Sequence, residues 1–351
     1  MSRALDLALR GWGKVQQDPL VGAVVLKDEQ PVGEGWHPEF GDRHAEIVAL
    51  AEAGELARGA TLVVTLEPCA HHGKQPPCTD AIIQSGISRV VAAMRDPNPL
   101  AAGGGERLRQ AGIEVEFGPL SDAAAIQNAM FLHALRRPNR PYVALKLATT
   151  MDGRIADAFG RSRWISGDAA REYVQWLRAG FDAIAIGGRT ARLDDPALTV
   201  RGPMRPRTPP RRVVFDRIAD LGPHLTLLRT ANEIPTFVVV GSDADAARVK
   251  RLESAGVTVI RAGSLAAALG SLREQGVGSL LVEGGGQLAG ALLEAGLVDR
   301  YYWLQAPMWL GEGGVPGLAG LPTRALDQAE RWQVVERRPL GDDTLLVLDR
   351  R

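Results

Sequence analysis

His44-Ala45-Glu46 and, downstream, Glu67-Pro68-Cys69-Ala70-His71-His72-Gly73-Lys74-Gln75-Pro76-Pro77-Cys78 are the two stretches on which the reading of this chain turns. One histidine and two cysteines offer a zinc ion three protein ligands and leave the fourth tetrahedral position to water, whereas a structural zinc site is closed by four. Glu46, two residues past the candidate ligand His44, is the further group that hydrolytic deamination needs. Zinc lowers the pKa of water, and a glutamate outside the coordination shell carries protons to the departing amine. The signature of zinc nucleobase deaminases is His-x-Glu followed by Pro-Cys-x-x-Cys. Its first half is matched, but residues 70–77, eight in all, separate Cys69 from Cys78 where two are usual. The alternatives are a disulfide between the only two cysteines or a pair of ordinary buried thiols. Neither accounts for His44, Glu46 and Pro68 occurring in that order.

With 351 residues the chain has room for roughly two domains, each able to bury its own core. Its 45% apolar content is that of a globular protein. Lysine plus arginine and aspartate plus glutamate stand at 41 each, so no overall charge calls for nucleic acid or an anionic membrane. Two cysteines, both absorbed by the motif, suit a reducing cytoplasm in which thiolates stay free to bind metal. Asp6 interrupts the apolar residues at the start of the chain, which lacks the apolar core of a signal peptide. No run approaches the roughly 20 apolar residues of a membrane span.

In chain order, the spacing predicts a helix over 2–10, a buried strand over 21–27, a helix from His44 to Leu56 and a strand over 61–66. A helix over 78–85, a strand over 89–94, a helix over 105–111 and a strand over 113–117 follow. Such alternation indicates an α/β layered domain. Ligands at helix starts make physical sense, because free backbone amides and the helix dipole favour the thiolate. Arg136-Arg137-Pro138-Asn139-Arg140-Pro141 cannot continue a helix and marks the linker. The first domain is therefore set at 1–137, the linker at 138–141 and a second domain at 142–351. His37 and His133 are read as structural. In the second half, Glu283-Gly284-Gly285-Gly286 lies between a strand over 279–282 and a helix over 287–295. Glycines there let backbone amides approach a cofactor pyrophosphate, although a plain tight turn needs the same residues.

Gly33-Glu34-Gly35-Trp36-His37, His44-Ala45-Glu46, Thr65-Leu66-Glu67-Pro68-Cys69, the insert up to Cys78 and Asp96-Pro97-Asn98-Pro99 together resemble the bifunctional deaminase/reductase family of riboflavin biosynthesis. In that family the long insert between the cysteines is normal. Thr149-Thr150-Met151-Asp152-Gly153-Arg154-Ile155-Ala156, Trp164-Ile165-Ser166 and Asp194-Asp195-Pro196-Ala197-Leu198-Thr199-Val200-Arg201 resemble its reductase half. The resemblance implies a cytidine-deaminase-like α/β/α domain followed by a dihydrofolate-reductase-like α/β domain, with Zn2+ and NADPH as cofactors. It implies zinc ligands His44, Cys69 and Cys78, and Glu46 as catalytic proton carrier. NADPH would be lined by Ala148, Trp164, Thr190, Asp194, Gly285, Gly286, Gln287, Leu288, Ala289, Gly290 and Ala291. The ribosylaminopyrimidine phosphate substrate would face Ser162, Arg178, Leu198, Arg201 and Glu283, with arginines on phosphate and Glu283 on sugar hydroxyls. His71 and Lys74 of the insert would clasp its phosphate, the alternative being a solvated polar loop. A homo-oligomer is expected.

Two positions depart from the family pattern. Asp18 stands where the family has asparagine, and a carboxylate only accepts hydrogen bonds. It reads equally as a turn acid before Pro19. Arg217 stands where serine is common, and is either a partner for the 2′-phosphate of NADPH or a solvated side chain. The same choice applies to Arg205, Arg207, Arg211 and Arg212. No general acid for the reduction stands out. A polynucleotide deaminase would share the metal chemistry, but it predicts a basic stripe and stacking aromatics, against balanced charge and 5% aromatic content. Zinc as a mere fold clamp would need a fourth protein ligand.

Overall fold

The computed structural model describes residues 1–73 and 75–350. The chain divides into two compact units, Met1–Pro138 and Asn139–Arg351, each with its own sheet.

In the first unit the order is α1 (Ser2–Ala8), β1 (Gly22–Lys27), β2 (Gln30–Trp36), α2 (Ala45–Ala53), β3 (Thr61–Leu66), α3 (Cys78–Ser85), β4 (Arg89–Met94), α4 (Gly104–Gln110), β5 (Glu114–Phe117), α5 (Ser121–Gln127) and α6 (Ala129–Arg136). The sheet runs β2-β1-β3-β4-β5, antiparallel at β1 and parallel from β3 to β5. Apolar residues on one of its faces, among them Val25, Leu62, Val64 and Val90, bury against Ala45, Ala49 and Ala53 of α2 and Ile82 of α3. On the other face Val24 packs against Ala4 and Leu7 of α1. The result is an α/β/α sandwich. Among the differences from the sequence reading, two concern the elements around α2. The α2 helix ends at Ala53 and continues as a single tight turn, Gly54–Ala57. Also, β2 was not expected, because its glycines lower strand propensity. Those glycines serve packing instead: a Cβ at Gly35 would lie 2.2 Å from the Ala45 carbonyl oxygen, so α2 sits directly on the strand.

The second unit contains β6 (Tyr142–Thr150), β7 (Arg154–Ala156), α7 (Asp168–Ala179), β8 (Ala183–Gly187), α8 (Gly188–Asp194), β9 (Arg211–Phe215), α9 (Thr226–Arg229), β10 (Thr236–Val240), α10 (Ala246–Ser254) and β11 (Thr258–Arg261). It continues with α11 (Leu265–Glu274), β12 (Ser279–Glu283), α12 (Gly286–Glu294), β13 (Arg300–Ala306), β14 (Val315–Pro316), β15 (Trp332–Leu340) and β16 (Asp343–Arg350). Nine strands form one sheet in the order β11-β10-β9-β8-β12-β6-β13-β16-β15. It is parallel from β11 to β13 and antiparallel at β16 and β15. Both faces are covered, with Ala183 and Ala185 in one core and Ile184 and Ile186 in the other. Burial on both faces explains the continuous apolar runs of β8, β10 and β12. No helix among the described residues is long and apolar enough to cross a membrane.

Candidate active sites

Three chain segments of the first unit converge at one end of α2. His44 is its N-cap and Glu46 lies in its first turn, Cys69 follows β3 by three residues, and Cys78 is the first residue of α3. His44 Nδ1 lies 3.1 Å from Cys78 Sγ and 3.6 Å from Cys69 Sγ, and the Cys78 amide N–H donates to Cys69 Sγ at 3.3 Å. All three donor atoms fall within 4.8 Å of one another. An N/S pair on one tetrahedral zinc is separated by about 3.5 Å, so the donor set fits that ion. Among the described residues the cluster has no fourth ligand, and both cysteines are free thiols rather than a disulfide.

The electrostatics tie these groups together. Donation by Cys78 and by His44 holds the Cys69 thiol down at about 4, against the opposing effect of burial. The same partnership, with burial, pushes the Cys78 thiol up. Hydrogen bonding to Cys69 raises His44 to about 9. Glu46 is 3% exposed, and burial raises its carboxyl above the ordinary range. Asp18 is more than a turn acid. Its carboxylate lies 3.2 Å from Nε2 of buried His37, whose other ring nitrogen faces the Arg43 carbonyl and whose ring stands edge-on to that of His44. His71 is exposed, so its place at the substrate rests on the sequence reading alone, and Lys74 lies outside the described residues.

In the second unit a cavity of about 1880 Å³ opens at the C-terminal ends of β6, β8, β9 and β12, where open α/β sheets bind ligands. It exceeds the roughly 300–1,000 Å³ of an ordinary ligand pocket and is large enough for a dinucleotide beside a substrate. Gly284 and Gly285 have φ of +70° and +80° and lead into α12, whose N-cap Gly285 leaves the first amides without a side-chain partner. That is an anion cradle suited to a pyrophosphate. Ala148, Trp164, Thr190, Asp194, Gly285, Gly286, Gln287, Leu288 and Ala291 line the cavity, as do Ser162, Arg178, Leu198, Arg201 and Glu283. Trp164 is no core residue, being 69% exposed beneath the Arg171 guanidinium.

Five residues are placed otherwise than the sequence suggests. Ala289 is in the core and Gly290 packs on the Ala319 carbonyl, where a Cβ would come within 1.9 Å. Neither lines the cavity: at about 100° of turn per residue they fall on a different face of α12 from Leu288 and Ala291. Arg178 is not free for phosphate: its guanidinium is bound bidentately to Glu283 at 2.6 and 2.9 Å and also donates to the Thr199 carbonyl. Burial works upward on Glu283, but this arginine leaves its carboxyl below the usual range. Arg211 donates to the Gln275 carbonyl, and Arg212, 1% exposed, is consumed by Thr236, Thr230 and backbone carbonyls. Both leave β9 at the end remote from the cavity. Arg217, at the near end, lines it.

Lys146 escaped the sequence reading. It pairs in register with Glu283 across β6 and β12 and lines the cavity. Burial lowers its pKa, with Glu283 opposing and Arg178 assisting. The signal was available, since a lone lysine in the apolar run Tyr142–Thr150 is anomalous for a strand buried on both faces.

A half-open His/Cys cluster beside a buried glutamate, and a dinucleotide-sized cleft in a second unit, define a metal-dependent deaminase joined to a reductase. Residues 1–94 match the cytidine and deoxycytidylate deaminase zinc-binding region, and residues 141–346 match the RibD C-terminal domain. The riboflavin biosynthesis protein RibD of Bacillus amyloliquefaciens is 39% identical over 358 residues, covering 99% of this chain and 94% of the relative. Among solved structures, Acinetobacter baumannii RibD is 38% identical with a TM-score of 0.82, over 99% of this chain and 97% of that one. The diaminohydroxyphosphoribosylaminopyrimidine deaminase/5-amino-6-(5-phosphoribosylamino)uracil reductase of Thermotoga maritima is 35% identical with a TM-score of 0.83, over 100% and 97%. The chain belongs to the RibD family, the bifunctional deaminase and reductase of riboflavin biosynthesis.

Proposed function

We propose that the chain deaminates 2,5-diamino-6-ribosylamino-4(3H)-pyrimidinone 5′-phosphate at C2 and then reduces the ribosyl group of the product to ribityl. The deaminase domain is assigned to 1–137, the linker to 138–141 and the reductase domain to 142–351. The open cluster of His44, Cys69 and Cys78 beside buried Glu46 carries the reading.

His44, Cys69 and Cys78 would hold zinc, which when bound supplies the Lewis acidity that draws the ionisation of water towards neutral pH. Glu46 takes a proton from the attacking water and delivers it to the departing amine. Burial raises its pKa, which favours the protonated form that delivers to the amine. Asp18, held by His37, faces donor groups of the pyrimidine. His71 and Lys74 are assigned to its phosphate.

In the reductase half, Ala148, Trp164, Thr190, Asp194, Gly285, Gly286, Gln287, Leu288 and Ala291 would hold NADPH, which supplies the hydride. Arg217 has no side-chain partner among the described residues and recognises the 2′-phosphate. Ser162, Leu198 and Arg201 contact the substrate, with Arg201 on its phosphate, while Arg178 orients Glu283 towards the sugar hydroxyls. Lys146 holds a proton at Nζ for the ring oxygen released as C1′ is reduced. The enzyme works as a homo-oligomer in the cytoplasm, with a small-molecule substrate and neither nucleic acid nor membrane. A reducing compartment suits two cysteines used as thiolate ligands.

The test is to supply the diaminopyrimidinone ribosyl phosphate with NADPH and to follow ammonia and NADPH absorbance together. Equal amounts of both are expected. Ammonia without NADPH oxidation would overturn the reductase assignment, and neither signal with zinc bound would overturn the substrate.

A further inference from the structure

We propose that Glu67 and helix α4 form the positioning device that sets the two cysteine ligands. The proposal rests on the assignment of zinc to His44, Cys69 and Cys78. Regular structure ends at Leu66, the last residue of β3, so no strand ladder fixes Cys69 three residues later. Something else must hold a thiolate to the tolerance that coordination requires.

The segment around Cys69 is tied on both sides. Glu67 is 4% exposed, and its carboxylate accepts the Gly105 amide N–H at 2.8 Å and the Asp96 amide N–H at 3.0 Å. Its own amide donates to the Met94 carbonyl at 2.9 Å. One buried side chain thus joins the approach to Cys69 to the end of β4 and the start of α4. A buried carboxylate is costly unless hydrogen-bonded, and these two donors supply what the site requires. Next along the chain, the Pro68 carbonyl lies so close to α4 that a Cβ at Gly104 would fall 1.7 Å from its oxygen. Beyond Cys69, Arg107 of α4 donates to the Ala70 carbonyl at 3.2 Å. The same guanidinium pairs with Asp80, two residues after Cys78. Helix α4 therefore grips residues 67, 68 and 70 around one ligand and the first turn of the helix that begins with the other. Asp96, Gly105 and Arg107 all lie beyond the residues that match the zinc-binding region, 1–94.

Groups that orient metal ligands from outside the coordination shell are worth about 10- to 100-fold in metal affinity. In Glu67→Gln one amide oxygen can accept only one of the two N–H groups, and the new NH2 faces the other donor against donor. Arg107→Met keeps the aliphatic stem of a side chain that is 41% exposed and removes both of its donations, so folding is less at risk.

The experiment uses the full-length chain, stripped of metal and titrated with zinc against a chromophoric chelator. A cobalt(II) form is prepared in parallel, whose d–d and thiolate charge-transfer bands report the geometry of the ligands. Each variant should bind zinc about 10- to 100-fold more weakly and shift the cobalt bands. The cobalt spectrum separates positioning from mere support. Variants that melt earlier yet keep wild-type zinc affinity and wild-type bands would overturn the proposal. If Glu67→Gln does not fold, Arg107→Met alone decides by the same criteria. Wild-type protein that takes up no zinc would overturn the underlying assignment, a result distinct from normal zinc uptake in the variants.

Discussion

At the scale of single residues, Lys146 and Arg217 show how one side chain changes the chemistry open to a site. Lys146 must be protonated to donate, and its pKa is lowered chiefly by burial. Reduction should therefore be lost as pH rises through a value below the ordinary lysine pKa of about 10.4. Single-turnover NADPH oxidation with the deaminated intermediate supplied would show it, and a rate flat through that value would remove Lys146 as the acid. Lys146→Met should slow the same step by about 100- to 10,000-fold, the usual contribution of a general acid. Arg217 makes a different prediction. Arg217→Ser should weaken NADP+ about 10- to 100-fold by removing charge-assisted hydrogen bonds, while NAD+ binding stays as it was. Calorimetry with both nucleotides would reveal it, and parallel losses would mean the arginine does not read the 2′-phosphate. The sequence left both roles open: Lys146 is an anomalous lysine in an apolar strand, and Arg217 reads either as a partner for the 2′-phosphate or as a solvated side chain. The sheet consumes Arg211 and Arg212 at its far end and leaves Arg217 at the cavity.

At the scale of elements, α2 brings His44 and Glu46 to the site, and its depth is set by what lies beneath it. A Cβ at Gly35 would lie 2.2 Å from the Ala45 oxygen and 2.5 Å from the Ala49 amide nitrogen, both backbone atoms of α2. Neither can swing aside as a side-chain tip would. Gly35→Ala should push the helix outward, cost the first unit roughly 1–3 kcal/mol by overpacking and weaken zinc binding. NADP+ binding in the second unit should be unaffected. Chelator competition and nucleotide titration on one sample would check both halves, and normal zinc affinity would show that α2 tolerates the shift. The boundaries of β3, α3 and β4 were readable from residue pattern because β-branched runs and a terminal glycine mark them. The β2 strand was not, because its glycines answer to the helix above rather than to strand propensity.

At the scale of the whole molecule, two chemistries occupy two compact units of one chain. Because the reduction takes the deaminated product as substrate, its dependence on the first unit is chemical and can be tested without reference to how the units are arranged. Glu46→Gln should stop ammonia release from the diaminopyrimidinone and, with it, NADPH oxidation. Supplying the deaminated intermediate should restore NADPH oxidation to the wild-type rate. Failure of that rescue would mean that the substitution reaches the second unit directly.

The candidate ligand set and the candidate proton-carrying glutamate follow from residue types at short fixed spacings, the two-part organisation from chain length and the arginine/proline linker, and the α/β class from alternating strand and helix patterns. Such spacings carry information because three ligands and one acid must occur in a set order on neighbouring elements. Tertiary structure alone decided which polar groups remain available. It locked Arg178 onto Glu283, turned Ala289 and Gly290 into the packing, set Lys146 opposite Glu283 and bound Glu67 to an α4 amide 38 residues away. Those outcomes depend on which groups meet across strands and loops, and a buried charge must take whatever partner the fold puts beside it.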